Sequence, residues 1–522
     1  MKQMNFKLLP ALFLFSIAIH GCKAEEDHPV NPETEQGIGP NTLHGVITDN
    51  GKHPVPGVVV SDGFTCTQTQ VDGSYRLEKN AHAYYVFYSL PEQYEVNLVD
   101  GLPSFFKTIE DGRQRYDFLL KSLAAVETDF HLFCIADPQV KSTSQIARFK
   151  NESVKDIRQH ASTKATPCYG ITLGDIVGDT PQYFPNMFSE MHRSFLGMPL
   201  FQLIGNHDHN KDAAGDREAQ QKFMETFGPL NYSFNRGEVH IVAMDNILHA
   251  ANGSNTDYRA GFTESQVRWL AADLDCVPKH KMVILCVHAP FDQGADSGGA
   301  LVNKDLFYRD VLKLLAPFAE AHIMAGHTHN CHNYLHNIDG KEIYEHDMGT
   351  ICGAWWYSTI CTDGCPNGYS VFSITGNTIN NWYYKATRYD ADFQIRMHRG
   401  RDVFTGGAPS WSLQYPYTTD DVIIANVWNA DNRYWTVNLY ENNVLTGRMN
   451  LYSGYDAWAT AYHYGLGRTS SSYKANREHM FWLRLRDPNA TDIKVEAIDK
   501  FGNKYYQTVI TGPSPDDYPR YN

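Results

Sequence analysis

The chain has 522 residues, 42% of them hydrophobic and 20% charged. At roughly 100–200 residues per domain it is too long for one compact domain, and it is too apolar for a disordered polymer. A net charge of −14 excludes a nucleic-acid backbone as the principal partner, because phosphates call for a basic face.

Residues 1–21 carry Lys2 and Lys7, an apolar run from Leu8 to Ile19 and then a small residue, the pattern of a secretory signal peptide. No later stretch approaches the roughly 18–20 apolar residues that span a bilayer. Ile19-His20-Gly21-Cys22 resembles a bacterial lipobox, which implies a lipidated Cys22 as the membrane anchor; an ordinary secretory signal is the alternative. Lys23-Ala24-Glu25-Glu26-Asp27 resembles the acidic signal that sends some Bacteroidota lipoproteins to the cell surface. The implied address is the cell envelope, with an anchor in the outer membrane. Losing Lys2 and Lys7 with the signal would take the net charge from −14 to −16, which favours solubility.

Residues 22–40, which hold Pro, Glu, Gly and Asn with little apolar content, read as a tether. Over 41–123 short runs such as Gly45–Asp49, Val58–Gly63 and Asp72–Leu77 are separated by Asp-Gly and Pro turns, which predicts an N-terminal all-β sandwich. This stretch is similar to carboxypeptidase-regulatory-like modules and carries no catalytic cluster. Over 124–388 the pattern becomes α/β. Strands are predicted at His131–Ala136, Tyr169–Leu173, Leu200–Ile204, Val239–Met244, Met282–Val287 and Ala321–Ala325, with helices at Gln145–His160, Thr263–Leu274 and Asp305–Leu315. Residues 389–522 return to aromatic-rich strands such as Val422–Ala425 and Trp435–Leu439, a second β module.

The chemistry sits where the central apolar runs end. They lead into Asp137-Pro138-Gln139, Gly174-Asp175 through Asp179, Gly205-Asn206-His207-Asp208, His288, and Gly326-His327-Thr328-His329. Loops at the carboxyl ends of sheet strands are where α/β folds build sites, so five such clusters imply one pocket. Carboxylates and imidazoles without clustered thiolates suit Zn, Mn or Fe. His327 and His329, two residues apart, would project to one side of an extended segment.

The ordered set D-x-Q, GDxxxD, GNHD, His and GHTH over 137–329 resembles the calcineurin-like metallophosphoesterase superfamily. The resemblance implies a central sandwich of mixed sheets flanked by helices between the two β modules. It implies hydrolysis of a phosphate ester by a hydroxide bridging two divalent ions. Asp137, Gln139, Asp175 and His329 would hold the first ion; Asp175, Asn206, His288 and His327 would hold the second. His207 would contact the phosphate and protonate the departing oxygen, with Asp208 orienting it. Gln139 stands where the family usually has His. Its harder carbonyl oxygen leans the metal preference from Zn toward Mn, Mg or Fe, and ADPQ is similar to the protein-phosphatase-like branch. The flanking architecture resembles lipoprotein phosphoesterases of Bacteroidota.

Other residues have plainer readings. Asp179 fits a turn or cap as well as an outer partner of the site. His131, His240 and His322 read as structural, while His209 and His332 are candidate pocket residues. Trp355 and Trp356 read equally as a substrate platform or as packing. Trp458 and Tyr462 read as strand core, with sugar binding as the alternative. Of the remaining cysteines, Cys134 and Cys286 read as small buried hydrophobes, and Cys361 and Cys365 as one disulfide or two free thiols. The rivals to a general phosphoesterase are a protein-phosphatase-like enzyme and a non-catalytic glycan- or polymer-binding lipoprotein. Substrate choice is assigned to loops at 210–220, 250–262, 291–304 and 352–368.

Overall fold

The computed structural model describes residues 38–249, 258–291, 307–400, 419–431, 433–468 and 476–510. The signal peptide, Cys22, nearly all of the tether and most of the loops at 250–262 and 291–304 lie outside the described residues. Among those described, no helix is long and apolar enough to cross a membrane.

Two sheets form the centre. The first takes β1 (Asp129–Ile135), β2 (Cys168–Thr172), β3 (Leu200–Phe201), and a later hairpin, β10 (Gly368–Thr375) and β11 (Thr378–Ala386), in the order β3-β2-β1-β10-β11. The second takes β4 (Tyr232–Arg236), β5 (Val239–Ala243), β6 (Met282–Cys286), β7 (Glu320–Ala325), β8 (His332–Ile338) and β9 (Lys341–Asp347), in the order β4-β5-β6-β7-β9-β8. The interior strands β1, β2, β5, β6 and β7 run parallel to a neighbour, so their carboxyl ends gather along one edge. They are almost wholly buried, which explains why they read as unbroken apolar runs.

The helices follow from their start signals. Thr263 accepts from the Gln266 N–H while the Gln266 side chain returns to Thr263, a capping box that opens the helix Glu264–Asp275. The stretch predicted as one helix at Gln145–His160 starts at the Ser142 cap and passes through a π-helical turn, Phe149–Val154, before finishing at Ala161. Tyr308–Leu315 is shorter than its prediction; its proposed start at 305 lies outside the described residues.

The N-terminal region carries a three-stranded sheet built on Thr42–Asp49 and a four-stranded one built on Val59–Ser61 and Tyr85–Tyr88. Two further four-stranded sheets, centred on Val422–Val427 and on Thr436–Glu441 with Ile493–Ile498, follow β11. Residues 41–522 pack as one compact unit, and a single apolar core runs from Leu43 and Tyr75 through β5–β7 to Val495 and Tyr505. Trp269 donates to Ser61 Oγ at 3.0 Å and the Tyr85 hydroxyl to the Met224 carbonyl at 2.6 Å, so the N-terminal sheets are bonded to the centre.

Two expectations change, and for Cys361 and Cys365 one of the two alternatives is met. Trp458 and Tyr462 lie on a helix, Ala457–Gly465, capped by Asp456; both rings are buried, so neither offers the exposed face that a sugar platform needs. Cys361 and Cys365 are free buried thiols, and Cys365 also meets Cys331 at 3.5 Å. His327 and His329 lie on a bent segment with φ of 70° and 56°, not an extended one, and their rings turn toward different neighbours.

Candidate metal centre

The five strand-end clusters meet at one point. Gln139 N–H donates to the Asp175 carbonyl at 2.7 Å, joining the loops after β1 and β2. Gln139 Nε2 donates to Asp175 Oδ2 at 3.2 Å, and His327 N–H donates to Asp137 Oδ2 at 2.9 Å, which draws in the loop after β7. The loop after β3 is admitted by glycine: a Cβ on Gly205 would stand 2.3 Å from Asp175 Oδ1. Gly326 is held likewise, since its Cβ would lie 2.7 Å from Asp137 Oδ2.

The backbone is strained here. Asp137, Gln139, Asp175, Asp179, His327 and His329 all have φ between 41° and 70°, the left-handed region that side chains other than glycine avoid. Such residues cost on the order of 1–3 kcal/mol each and persist where the surrounding fold over-determines them. The strain turns successive side chains inward.

What they bring together is a set of lone pairs. His288 Nδ1 meets the Leu173 carbonyl at 2.7 Å, which places one proton there; burial works against a charge on the ring, but Asp175 and Asp137 outweigh it and raise it to about 9, so a bound cation would take the place of the proton on Nε2. That Nε2 faces Asn206 Oδ1 at 2.9 Å, His327 Nδ1 at 3.1 Å and Asp175 Oδ1 at 3.3 Å. His329 Nδ1 meets the Gly353 carbonyl at 3.2 Å, leaving its Nε2 3.6 Å from Asp137 Oδ1. Asp137 Oδ1 and Gln139 Oε1 are buried with no hydrogen-bond partner. Burial pushes the Asp137 carboxyl up to about 8 and holds His327 at about 3 and His329 at about 4, so both of these rings are neutral at physiological pH. Acceptors facing acceptors in a dry site are unfavourable unless a cation lies between them, so the residues fit divalent metals. Asp175, His288 and His327 each offer a ligand atom within 4.8 Å of the others.

Three calcineurin-like phosphoesterase models match the chain: an N-terminal one over 41–123, the phosphoesterase itself over 128–331 and a C-terminal one over 345–505. The chain belongs to the calcineurin-like phosphoesterase superfamily. Among solved structures, a dimetal phosphatase from Danio rerio is 12% identical, with 49% of this chain and 96% of that one covered at a TM-score of 0.36. A purple acid phosphatase from yellow lupin is 13% identical over 50% and 52%, also at 0.36. A 5'-nucleotidase precursor from Thermus thermophilus is 10% identical over 72% and 88%, at 0.31. No curated protein matches.

In this calcineurin-like phosphoesterase His207 stands beside the cluster, one-fifth exposed, with its N–H on Asp175 Oδ1 at 2.8 Å. Its ring is held by Asp179, not by Asp208: His207 Nδ1 lies 2.8 Å from Asp179 Oδ1, and Asp179 N–H returns to the His207 carbonyl at 3.1 Å. The Asp208 carboxylate is turned inward and accepts the N–H groups of Gly205, Ile176 and Val177 at 2.9–3.0 Å. It locks two ligand loops together and does not orient His207. Burial works against a charge on His207, but Asp175 and Asp179 outweigh it and raise the ring above the usual imidazole range.

One group at the site, Tyr258, is not singled out by the sequence, whereas Trp355 and Trp356 are. The Tyr258 hydroxyl lies 2.7 Å from His327 Nε2, on the far side of that ring from His288. The Trp355 ring stacks on His329 at 4.8 Å, whereas Trp356 is buried and donates to the Pro138 carbonyl at 2.8 Å. His209 and His332 are themselves buried, His131 and His322 are bonded within the sheets, and His240 is bonded to Asp273 on the helix Glu264–Asp275.

Proposed function

We propose that this phosphoesterase hydrolyses a phosphate ester at a dinuclear centre. Asp137, Gln139, Asp175 and His329 hold one divalent ion; Asp175, Asn206, His288 and His327 hold the other. The observation that carries the reading is the crowd of acceptors within about 3 Å of His288 Nε2, beside the unpartnered Asp137 Oδ1 and Gln139 Oε1. The donor set of oxygen and imidazole nitrogen suits Mn, Fe, Zn or Mg.

The bound ions would supply a nucleophile at neutral pH and positive charge against the phosphoryl oxygens. Two carboxylates against two divalent cations leave about +2 in the pocket, which draws in an anionic phosphate. The chain supplies the rest. Asp179 holds His207 Nδ1, so the ring keeps a fixed orientation and a proton for the departing ester oxygen. Asp208 keeps the Gly205 turn and the Ile176-Val177 turn in register, which fixes where Asn206 and Asp175 stand.

The test is hydrolysis of p-nitrophenyl phosphate and bis-p-nitrophenyl phosphate by metal-stripped protein refilled with Mn, Zn, Fe or Mg. Metal-dependent turnover that is lost in Asp175→Ala and in His207→Ala is the expected result. The ratio between the two substrates tells monoesterase from diesterase. Metal uptake without turnover of either ester would sink the reading.

The address is part of the proposal and rests on residues 1–27: a lipoprotein of the cell envelope, anchored through Cys22, acting on extracellular phosphoesters. Cys22→Ala should move the protein from the membrane fraction to the soluble one. An unchanged partition would refute the anchor.

A further inference from the structure

A second cluster of titratable and nucleophilic groups lies outside the metal centre, where the turn after His329 meets the loop Thr359–Asn367. Cys331, Cys361 and Cys365 are all buried there, packed with Tyr384 and Trp428. Cys331 Sγ lies 3.5 Å from Cys365 Sγ, although 34 residues separate them in the chain. The contact is built by the backbone around it. Asp363 Oδ2 accepts the Cys331 N–H at 2.7 Å, Asp363 Oδ1 accepts the Cys365 N–H at 3.0 Å, and the Cys361 N–H donates to the Cys365 carbonyl at 2.7 Å. One carboxylate thus holds both cysteines by their main chains.

Such a cluster has two chemical uses, a metal ion or a covalent bond. The Asp363 carboxylate already accepts three N–H groups, the third being His479 Nε2 at 3.2 Å. Cys331 and Cys365 are both buried. A cation would have to ionise both thiols beside an existing buried carboxylate, whereas a bond between the sulfurs removes two S–H groups and adds no charge.

We propose that Cys331 and Cys365 form a disulfide, made by exchange with a small-molecule or protein disulfide as the chain folds. One thiolate attacks the reagent's S–S bond and expels a thiol; the second displaces the other reagent sulfur. One S–S bond forms in this chain, one is cleaved in the reagent, two protons leave the cysteines and two electrons pass to the reagent. The bridge closes a covalent loop that contains β8, β9 and Trp355. It also pins the segment whose Thr362 N–H and hydroxyl both donate to the His329 carbonyl at 3.2 Å, and so braces the turn that carries His329. The inference does not depend on the chemistry at the metal centre.

The experiment folds the full chain in oxidised or in reduced glutathione, unfolds it in denaturant with an alkylating reagent, and maps the peptides by mass spectrometry. In the oxidised sample a linked Cys331–Cys365 peptide is expected, two hydrogens lighter than its parts, with Cys361 alkylated. In the reduced sample all three are alkylated. Cys361→Ser should keep the link, because Cys361 is not one of its two sulfurs. The proposal is overturned if Cys331 and Cys365 are both alkylated after oxidising refolding, or if Cys365 is linked to Cys361. It is also overturned if the thiols hold a stoichiometric metal that Cys365→Ser releases.

Discussion

The same three residue types, Asp, His and Asn, are buried twice in this molecule to opposite ends. Where β4 and β5 meet the helix Glu264–Asp275, His240 Nε2 lies 2.8 Å from Asp273 Oδ2, and His240 Nδ1 lies 3.0 Å from Asn235 Oδ1. The Ser233 hydroxyl donates to Asp273 Oδ1 at 2.8 Å, and Asn235 Nδ2 donates to the Leu90 carbonyl at 3.1 Å. In this seam the Asp273 carboxylate meets a donor on each oxygen, and none of the four residues has a positive φ. At the metal centre acceptors meet acceptors on a backbone held in the left-handed region. The seam is finished by the chain alone, while the centre is finished only by something the chain must bind.

The sharpest way to break that comparison is to remove a group from each. Asp175→Asn should lower turnover by at least about 10²–10³-fold while leaving the fold largely intact, because it deletes the charge yet keeps an oxygen for the His207 N–H. Steady-state kinetics and a denaturant midpoint, measured on one preparation, check both halves. A variant that keeps wild-type turnover would place the chemistry elsewhere. His207→Ala should cost about 10²–10⁴-fold in turnover while the metals stay bound, since the ring serves as an acid and not as a ligand. Asp179→Asn should share part of that loss and Asp208→Asn should act through stability, which separates the two carboxylates by role.

The matching change in the seam is Asp273→Ala. It strands His240 and Ser233 and should cost about 3–5 kcal/mol of stability with little change in turnover per folded molecule. A smaller effect probes the edge of the centre. Tyr258→Phe removes the hydroxyl that fixes the His327 ring and should weaken metal affinity by about 10–100-fold, read by competition with a chelator. If the affinity is unchanged, the ring is fixed by other contacts.

Sequence reading finds the centre but not the seam's purpose, and the reason is position along the strand. His288 lies two residues beyond the end of β6, where a side chain leaves the sheet, whereas His240 lies inside β5. The motif order therefore exposes the ligand loops, and the apolar runs before them expose β1, β2, β5, β6 and β7. What stays hidden depends on distant backbone: the Leu173 and Gly353 carbonyls on the histidines, and the exchange of Asp208 for Asp179 at His207. Neither the β8–β9 hairpin nor the β10–β11 hairpin is among the predicted strands. The β8–β9 hairpin has a signal, the Asp339-Gly340 turn with φ of 52° and 83°, but its strands are too rich in His, Asn and Glu to read as strands. The helix Ala457–Gly465 was hidden by its aromatics, although Asp456 as a cap and alanine at 457, 459 and 461 favour a helix.

The smallest effect concerns a histidine pair that belongs to neither cluster. His346 on β9 is buried, its ring stacked on His322 at 5.4 Å, with Nε2 3.2 Å from His322 Nδ1 and Nδ1 3.0 Å from Asn333 Oδ1. Burial holds it well below the usual imidazole range, and the neighbouring His322 and Lys500 push the same way. In the unfolded chain the ring takes a proton as pH falls through about 6.5, while in the folded chain it stays neutral. Stability is therefore full above that value and declines below it, by about 2 kcal/mol between pH 7 and pH 5 for one such ring. His346→Gln keeps a partner for Asn333 but does not titrate, so the acid-side loss of stability should shrink by about that amount. Denaturant midpoints at pH 7 and pH 5 for the two proteins decide it. An unchanged difference would mean that the loss arises at other buried histidines held low in the fold, such as His322, His332 and His398.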